Sequence, residues 1–503
     1  MTPRVSLADL PPHFDLILIG GGITGAGVVA EAARSGLKAL LVEQGDFASG
    51  TSSASSKLVH GGLRYLAGGH WRLTLESVRE RNRLLRERSG LIETQPFLMP
   101  VYRDMRPGLR TLRAGLAVYD LMGGQWRSRS LTAAQALALE PDIRSEGLLG
   151  AVTYDDARTD DARLTLKLIF EASAAGAVTL NYVRASGLVH RAGRVAGVVL
   201  QDAVSGAEAS IATSLVINAV GAAAGTLANA PDGAPTLRPL RGSHLIFPLQ
   251  RLPVRQAVSW LHPRDRRPVF VYPWLGVALC GTTDVDQVEH GAPHISSDEA
   301  AYLIEGLAHQ FPQLALTLKD ASACYAGVRP IVAGGKADPS SESRESAMWT
   351  APGYIGITGG KLTTFRLTAR QVLQAAAVQV PSLKLQISAQ PATSNDALAA
   401  RYGDAFPAWS RTQASAADRA AIDGTPYCWA ELRWAARHEQ VVHLDDLLLR
   451  RTRLGLLLPQ GGVDILDGVA VICRDELGWD DTRWLAERAR YLRDWQTLHA
   501  VPP

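Results

Sequence analysis

The chain has 503 residues, 47% of them hydrophobic and 20% charged, enough for two or three domains with substantial cores. A net charge of +3 gives no general attraction for nucleic acid, and none is expected as a partner. Cys280, Cys324, Cys428 and Cys473 are widely scattered without a C-x-x-C pair, which argues against a zinc site, a redox dithiol or a disulfide scaffold and for a reducing compartment. No basic region followed by an apolar one opens the sequence, so no signal peptide is expected. No uninterrupted apolar run reaches the ~18 residues that a membrane span needs.

The first predicted strand, Phe14 to Ile19, breaks into Gly20-Gly21-Gly22-Ile23-Thr24-Gly25 and then a small-residue helix, Ala26 to Ala33. That is a βαβ crossover built for a pyrophosphate. Gly20 permits the tight turn, Gly22 lets backbone approach phosphate, and Gly25 allows close packing of helix on strand, while the helix N-terminus offers free N–H groups. The second strand, Lys38 to Val42, ends at Glu43-Gln44, where an acid can accept a ribose hydroxyl proton. A Ser-rich loop follows, Thr51-Ser52-Ser53-Ala54-Ser55-Ser56-Lys57.

Trp71 to Arg88 has helical spacing. In Tyr102 to Arg129, the residues Arg103, Arg106, Arg110 and Arg113 recur at intervals of three and four, so a helix would align them on one side. Leu109, Leu112, Leu116, Val118, Leu121, Met122 and Trp126 supply apolar surface, and such a basic amphipathic element suits anionic headgroups. Further on come a helix from Asp161 to Ala174, a strand from Val178 to Tyr182, paired strands near Gly187 to Leu200, and a strand from Ser214 to Ala219. Leu240 to Asp284 is rich in β-branched and aromatic residues broken by Pro and Gly, as in an antiparallel sheet. A helix at Ser297 to Phe311 follows. A strand at Tyr354 to Thr358 then runs into Gly359-Gly360 and a helix from about Leu362. Pro381 to Asn395 reads as a linker, and Ala430 to Leu458 and Asp481 to Leu498 as amphipathic helices of a smaller helical domain. His438 and His443 are five apart rather than the four of a zincin pair, so no metal is expected.

Three features favour FAD over NAD: the N-terminal fingerprint, the Ser-rich loop directly after the ribose acid, and the second Gly-rich turn far along the chain. A helix N-terminus at the pyrimidine end of an isoalloxazine stabilises the negative charge that reduction places there.

Longer blocks carry a resemblance. They are Thr51-Ser-Ser-Ala-Ser-Ser-Lys-Leu-Val-His-Gly-Gly-Leu-Arg-Tyr-Leu66, Asp160-Asp-Ala-Arg-Leu164, Arg241-Gly-Ser-His-Leu245, Gly281-Thr-Thr-Asp-Val285, Gly327-Val-Arg-Pro330, Gly359-Gly-Lys-Leu-Thr-Thr-Phe-Arg366 and His443 to Gly455. In these blocks the chain resembles the FAD-dependent, quinone-linked, membrane-associated glycerol-3-phosphate dehydrogenases. The resemblance implies an α/β fold with a Rossmann-like FAD-binding domain of the glutathione-reductase/D-amino-acid-oxidase kind, an antiparallel β substrate cap and a C-terminal helical domain. The expected partition is an FAD-binding region at about 1–90, 150–235 and 320–385, a cap at about 91–149 and 236–319, and the helical domain at 391–503. The implied reaction is oxidation of sn-glycerol 3-phosphate to dihydroxyacetone phosphate by hydride transfer to FAD. Electrons would pass to quinone at the inner face of the cytoplasmic membrane. Oxidation by O₂ and a non-catalytic FAD-binding sensor stay open as alternatives, and the helical domain is a candidate homodimer contact.

By the same resemblance Arg64, Tyr65, Arg329, Arg344 and Lys361 line the substrate pocket, where an Arg fork can grip a phosphate in two places. His244 is the candidate base, with Arg329 beside it to stabilise the developing oxyanion. The expected FAD contacts are Gly20, Gly22, Ile23, Thr24, Gly25, Glu43, Gln44, Thr51, Ser52, Ser55, Ser56, Lys57, His60, Gly61 and Gly62. They continue through Asn218, Ala219, Gly221, Gly359, Gly360, Lys361, Leu362 and Thr363. After Ala219 the chain departs from the family, which usually has a Gly-Pro-Trp-like turn where Val220-Gly221-Ala222-Ala223 stands here. The bulky group of that wall is missing.

Overall fold

The computed structural model describes residues 4–63, 66, 69, 71–287, 291–335, 342, 345–385 and 396–503. The first half runs β1 (His13–Ile19), α1 (Ile23–Arg34), β2 (Ala39–Val42), α2 (Trp71–Glu87), β3 (Ile92–Tyr102), α3 (Leu109–Gly123), β4 (Arg129–Thr132), β5 (Leu148–Thr159), α4 (Asp161–Ala174), β6 (Val178–Leu180), β7 (Val183–Arg191), β8 (Arg194–Asp202) and β9 (Glu208–Asn218). There follow β10 (Leu237–Pro248), β11 (Ala257–Leu261), β12 (Pro268–Trp274), β13 (Val277–Gly281), β14 (Val285–Asp286), α5 (Ser297–Gln310), β15 (Ala323–Val332), β16 (Ser346–Ala351), β17 (Tyr354–Gly359) and α6 (Phe365–Gln379). The longest helices of the C-terminal part are α7 (Trp429–His438), α8 (Leu466–Leu477) and α9 (Asp481–Leu498).

Among the described residues two sheets organise the fold. The first has eight strands, ordered β16-β17-β9-β1-β2-β6, with β8 on β9 and β7 on β8. Strands β17, β9, β1, β2 and β6 are parallel. After Asp15 at its open end, Leu16 to Ile19 is continuously apolar because both faces of β1 are covered there. Leu16 and Leu18 pack with the α1, α4 and α6 side, whereas Ile17 and Ile19 pack toward Val183, Leu188 and Val198. Ile19 lies opposite both Val42 and Asn218. Three strand ends therefore finish level: the chain runs from β1 through α1 to β2 on one side, and β9, reached only after β8, flanks β1 on the other. That is the switch-point crevice of an open α/β sheet, where ligands bind.

The second sheet has nine strands, β14-β10-β13-β12-β11-β3-β5-β4 with β15 also on β10, and is antiparallel except between β11 and β3. It takes in β5 and β15, which the expected partition assigns to the nucleotide-binding region. Their partners decide this: β5 pairs along β3 from Ile92 to Tyr102, and β15 along β10 from Leu237 to Ile246. One face of this sheet packs on α5. From the other face Ile246, Tyr272, Leu279 and Tyr325 share a core with Leu447, Leu454, Tyr491 and Trp495 of the C-terminal helices.

The helix expected to align four arginines begins only at Leu109. Arg103 and Arg106 precede it, because Pro107 and Gly108 interrupt the helical pattern. Arg110 and Arg113 lie on α3 and are exposed.

Candidate active site

The crevice is built from glycines at its base. Gly20 has φ +113°, and a Cβ there would lie 2.6 Å from the Ala219 carbonyl oxygen. At Gly25 a Cβ would sit 2.0 Å from the Gly20 carbonyl oxygen, so strand and helix approach backbone to backbone. Helix α1 starts after Gly22, which offers no side-chain cap. Ser52 supplies one from outside, its Oγ accepting from the Ile23 N–H at 2.8 Å. Glu43 ties the two ends of the crossover together by accepting from Gly21 N–H at 2.7 Å and Gly45 N–H at 3.0 Å. Burial raises its carboxyl pKa by more than those donors lower it.

The Ser-rich loop rests on a buried pedestal. Ser55 donates from backbone and hydroxyl to Asp161 Oδ2, at 2.9 and 2.7 Å. The Tyr325 hydroxyl donates to the Ser55 carbonyl and the Tyr272 hydroxyl to the Ser56 carbonyl, each at 2.8 Å. Thr51 Oγ1 donates to the Val328 carbonyl. Lys57 points beneath the loop, its Nζ 3.0 Å from Asp161 and 4.5 Å from the Tyr325 ring centre. It faces this network rather than the crevice. Burial pushes its pKa down to about 8, against the opposing charge of Asp161.

The next loop is held from behind. Gly61 N–H donates to Asp156 at 2.8 Å, and a Cβ on Gly61 would overlap the Tyr119 hydroxyl at 2.2 Å. The His60 carbonyl accepts from Thr363 Oγ1 at 3.1 Å, so this loop and the second Gly turn form one wall. Gly359 and Gly360 have φ +76° and +84°. Leu362–Thr364 forms a 3₁₀ turn, and the α-helix proper begins at Phe365. Asn218 is wholly buried and donates to the Tyr354 hydroxyl at 2.9 Å. Ala219 and Gly221 form the crevice wall in its place, and the Gly221 carbonyl accepts from Thr358 at 2.8 Å.

A cavity of about 1010 Å³ follows these elements, at the upper end of the roughly 300–1,000 Å³ range of small-molecule sites. It is lined by Gly20, Gly22, Ile23, Thr24, Glu43, Gln44, Thr51, Ser52 and Ser55, and then by Ala219, Gly221, Gly359, Gly360, Lys361 and Leu362. A glycine turn against a helix N-terminus, an acid at the next strand end and a second Gly turn at the far end suit an elongated dinucleotide. The residues present fit FAD.

His244 and Arg329 sit where the second sheet meets the Ser-rich loop. His244, on β10 and opposite Tyr325 of β15, stacks on that ring with centres 4.7 Å apart and planes 11° off parallel. Its Nε2 is 2.9 Å from Ser56 Oγ. A Cβ at Gly281 would lie 2.2 Å from the imidazole, so glycine there leaves room for the ring. Burial, then the charges of Arg329 and Lys57, hold the His244 pKa well below 6.5. The ring is neutral at neutral pH. Arg329 donates to Thr282 Oγ1 at 2.9 Å and lies 3.2 Å from Asp284, which Arg267 also contacts at 2.8 Å. Arg64, Tyr65 and Arg344 lie outside the described residues.

Sequence reasoning did not single out Tyr325 or Tyr272, nor the contribution of the C-terminal helices. Arg450, Arg453, Tyr491, Trp495 and His499 also line the cavity. The signal available was the run Arg450-Arg451-Thr452-Arg453, charged side chains inside an otherwise leucine-rich stretch.

The sequence profile of the family described as FAD dependent oxidoreductase matches residues 15–374. That of the C-terminal domain of alpha-glycerophosphate oxidase matches residues 355–484. The aerobic glycerol-3-phosphate dehydrogenase of Bacillus subtilis is 36% identical over 369 residues, spanning 72% of this chain and 66% of that protein. Glycerol-3-phosphate dehydrogenase 2 of Mycobacterium tuberculosis is 32% identical over 518 residues, 95% of this chain and 88% of that protein. The crystal structure of the glycerol-3-phosphate dehydrogenase from Bacillus halodurans, complexed with FAD, superposes with a TM-score of 0.73 at 25% identity, over 97% of this chain and 95% of that one. L-alpha-glycerophosphate oxidase from Mycoplasma pneumoniae shares the fold at TM-score 0.58 and 19% identity, over 75% of this chain and 97% of that one. With a dinucleotide crevice at the switch point and these matches over most of its length, the chain belongs to the FAD-dependent oxidoreductases and, within them, to the glycerol-3-phosphate dehydrogenases.

Proposed function

We propose that the chain binds FAD in the crevice and oxidises sn-glycerol 3-phosphate to dihydroxyacetone phosphate, passing the electrons to a membrane quinone. The observation that carries this reading is a dinucleotide cradle whose Ser-rich loop is bonded at Ser56 to the neutral His244, with the Arg329 guanidinium on the neighbouring strand. FAD supplies a two-electron acceptor for the hydrogen on C2. The protein must take the hydroxyl proton and hold the phosphate. His244 is wholly buried whereas Ser56 is half-buried, so the C2 hydroxyl proton passes through Ser56 Oγ to Nε2. Arg329, with Lys361 of the second Gly turn and Arg64 and Arg344, binds the phosphate dianion and the developing negative charge on oxygen.

Replacing the guanidinium tests the assignment. Arg329→Met should raise KM for glycerol 3-phosphate by roughly tenfold or more, as loss of one charge-assisted contact of about 1.5–3 kcal/mol implies. The protein should stay folded, because Arg267 still compensates Asp284. Steady-state kinetics with glycerol 3-phosphate and with glycerol separates the two roles: kcat should fall with both substrates through the lost oxyanion contact, whereas KM should rise only for the phosphorylated one.

Quinone as the acceptor is supported by surface chemistry. Among the described residues no helix is long and apolar enough to cross a membrane. Yet Leu121 and Trp126, at and just beyond the end of α3, are 68% and 72% exposed, Trp71 at the start of α2 is 54% exposed, and Arg110 and Arg113 are exposed on α3. Aromatic and leucine side chains beside guanidinium groups suit an anionic bilayer surface. Reduced enzyme mixed with quinone-loaded anionic vesicles should reoxidise at turnover speed and with O₂ far more slowly. Reoxidation by O₂ at turnover speed would make the chain an oxidase.

A further inference from the structure

We infer that the C-terminal helical part holds the two cofactor loops in register, with Arg451 and Arg453 as positioning residues; this rests on the FAD reading above. Both loops are gripped from outside by one short segment, Arg450 to Arg453. The loop after β2, which carries Glu43, ends in Asp46, a carboxylate with no exposed surface on its side chain. Arg451 bonds it through both terminal nitrogens, with Nη2 to Oδ1 at 2.8 Å, and Arg450 Nε bonds it too. Burial alone would raise the Asp46 pKa, but the Arg451 and Arg450 charges outweigh it and keep the carboxylate ionised. Arg451 is itself anchored on the Glu439 carbonyl at 2.9 Å.

Two residues along, Arg453 grips the Ser-rich loop. Its Nε donates to Asp160 at 2.9 Å, its Nη2 to Asp161, and its Nη1 to the Ser53 carbonyl at 3.3 Å. Asp161 is the same carboxylate that Ser55 and Lys57 engage. The side chains of Arg451 and Arg453 are 0% and 1% exposed, so these are interior pairs rather than surface ones. Removing one partner of a buried pair leaves the other charge uncompensated. Here the stranded carboxylate would be Asp160, since Lys57 still pairs Asp161, and it lies directly behind the loop whose Ser52 caps α1. The segment is built so that the helical part sets loop geometry before the dinucleotide arrives, which lowers the ordering cost of binding. Arg453, Trp495 and His499 then complete the outer wall of the same cavity.

A second ion pair across the same boundary provides the control. Arg163 binds Glu439 at 2.7 and 3.0 Å, fully buried, but touches neither cofactor loop. Full-length wild type, Arg453→Met, Arg453→Lys and Arg163→Met, each loaded with FAD, are diluted and release is followed by flavin fluorescence. Melting temperature is measured alongside. Arg453→Met should release FAD about tenfold faster or more, with Arg453→Lys intermediate, because a lost buried partner costs several kcal/mol and 1.4 kcal/mol is a factor of ten. Arg163→Met should lower the melting temperature comparably yet release FAD at the wild-type rate. Wild-type release from Arg453→Met overturns the inference. So does acceleration in Arg163→Met equal to that in Arg453→Met, which would reduce the effect to loosened docking. Should Arg453→Met not fold, Arg451→Lys and Asp160→Asn weaken the same grips and are read the same way. A wild type that takes up no FAD would overturn the cofactor reading instead.

Discussion

Gly25→Ala is expected to strip the protein of FAD. The added methyl would stand 2.0 Å from the Gly20 carbonyl oxygen; a Cβ has its place fixed by the backbone and the carbonyl is backbone, so no side-chain rotation relieves the overlap. Helix α1 must move off β1, and the N–H groups of its first turn move with it, away from the pyrophosphate position. Overpacking of this kind costs about 1–3 kcal/mol, which is about 5- to 150-fold in affinity if it falls on the bound state. Flavin content after purification and the dissociation constant on reconstitution measure it. Gly115→Ala provides the contrast, since a Cβ there meets nothing within 4 Å and alanine favours the helix. It should keep full flavin content.

The second large effect is expected at His244. His244→Gln should lower kcat by about 10²- to 10⁴-fold, the range for loss of a positioned base, while flavin content stays at the wild-type level. Ser56→Ala should lower kcat in the same direction, because the ring then has no hydroxyl between it and the substrate. The pH dependence follows from the sign of the shift. The folded-state pKa lies below 6.5, chiefly through burial, so the base is ready at neutral pH. The acid limb of kcat/KM should fall well below pH 6.5. Stability behaves in parallel: below pH 6.5 the unfolded chain binds a proton that the folded chain refuses. The contribution is present above pH 6.5 and is lost as pH falls toward the folded value. His244→Gln should be correspondingly less acid-sensitive.

The nucleotide crossover was legible because its demands are local. A strand, three glycines and a small-residue helix leave few conformations, and the predicted helix Asp161 to Ala174 matches α4 end for end, helped by the Asp160 side chain that caps it. Strand β3 was not legible. Pro96 and Pro100 within Ile92–Tyr102 argue against a strand, but the pairing with β5 tolerates both. Strand β5 carries Asp155, Asp156 and Arg158, which break the apolar alternation of its sequence. Asp156 is tolerated inside because Arg81, 75 residues away in sequence, binds it at 2.8 Å, and the Gly61 N–H and the Tyr119 hydroxyl donate to the same oxygen. The stretch Ala430 to Leu458 breaks between α7 and a π-helical turn at Asp446–Arg451, with Gln440 at φ +51°. There Asp446 accepts from the Val442 and His443 N–H groups, a local capture that helical periodicity does not register. At the site, the place of Gly20, Gly22, Glu43, Gly359 and Gly360 along the cavity followed from spacing, while His244 and Arg329 came from the family blocks and their roles belong to the proposal. The direction of Lys57 did not follow, because its partners Asp161 and Tyr325 come from distant segments.

The most direct measurement is anaerobic mixing of FAD-loaded protein with sn-glycerol 3-phosphate, followed at the visible band of oxidised flavin. Bleaching of that band with one equivalent of dihydroxyacetone phosphate formed per flavin is the expected result. Flavin that stays oxidised with saturating glycerol 3-phosphate, yet bleaches with dithionite, would contradict the proposed substrate.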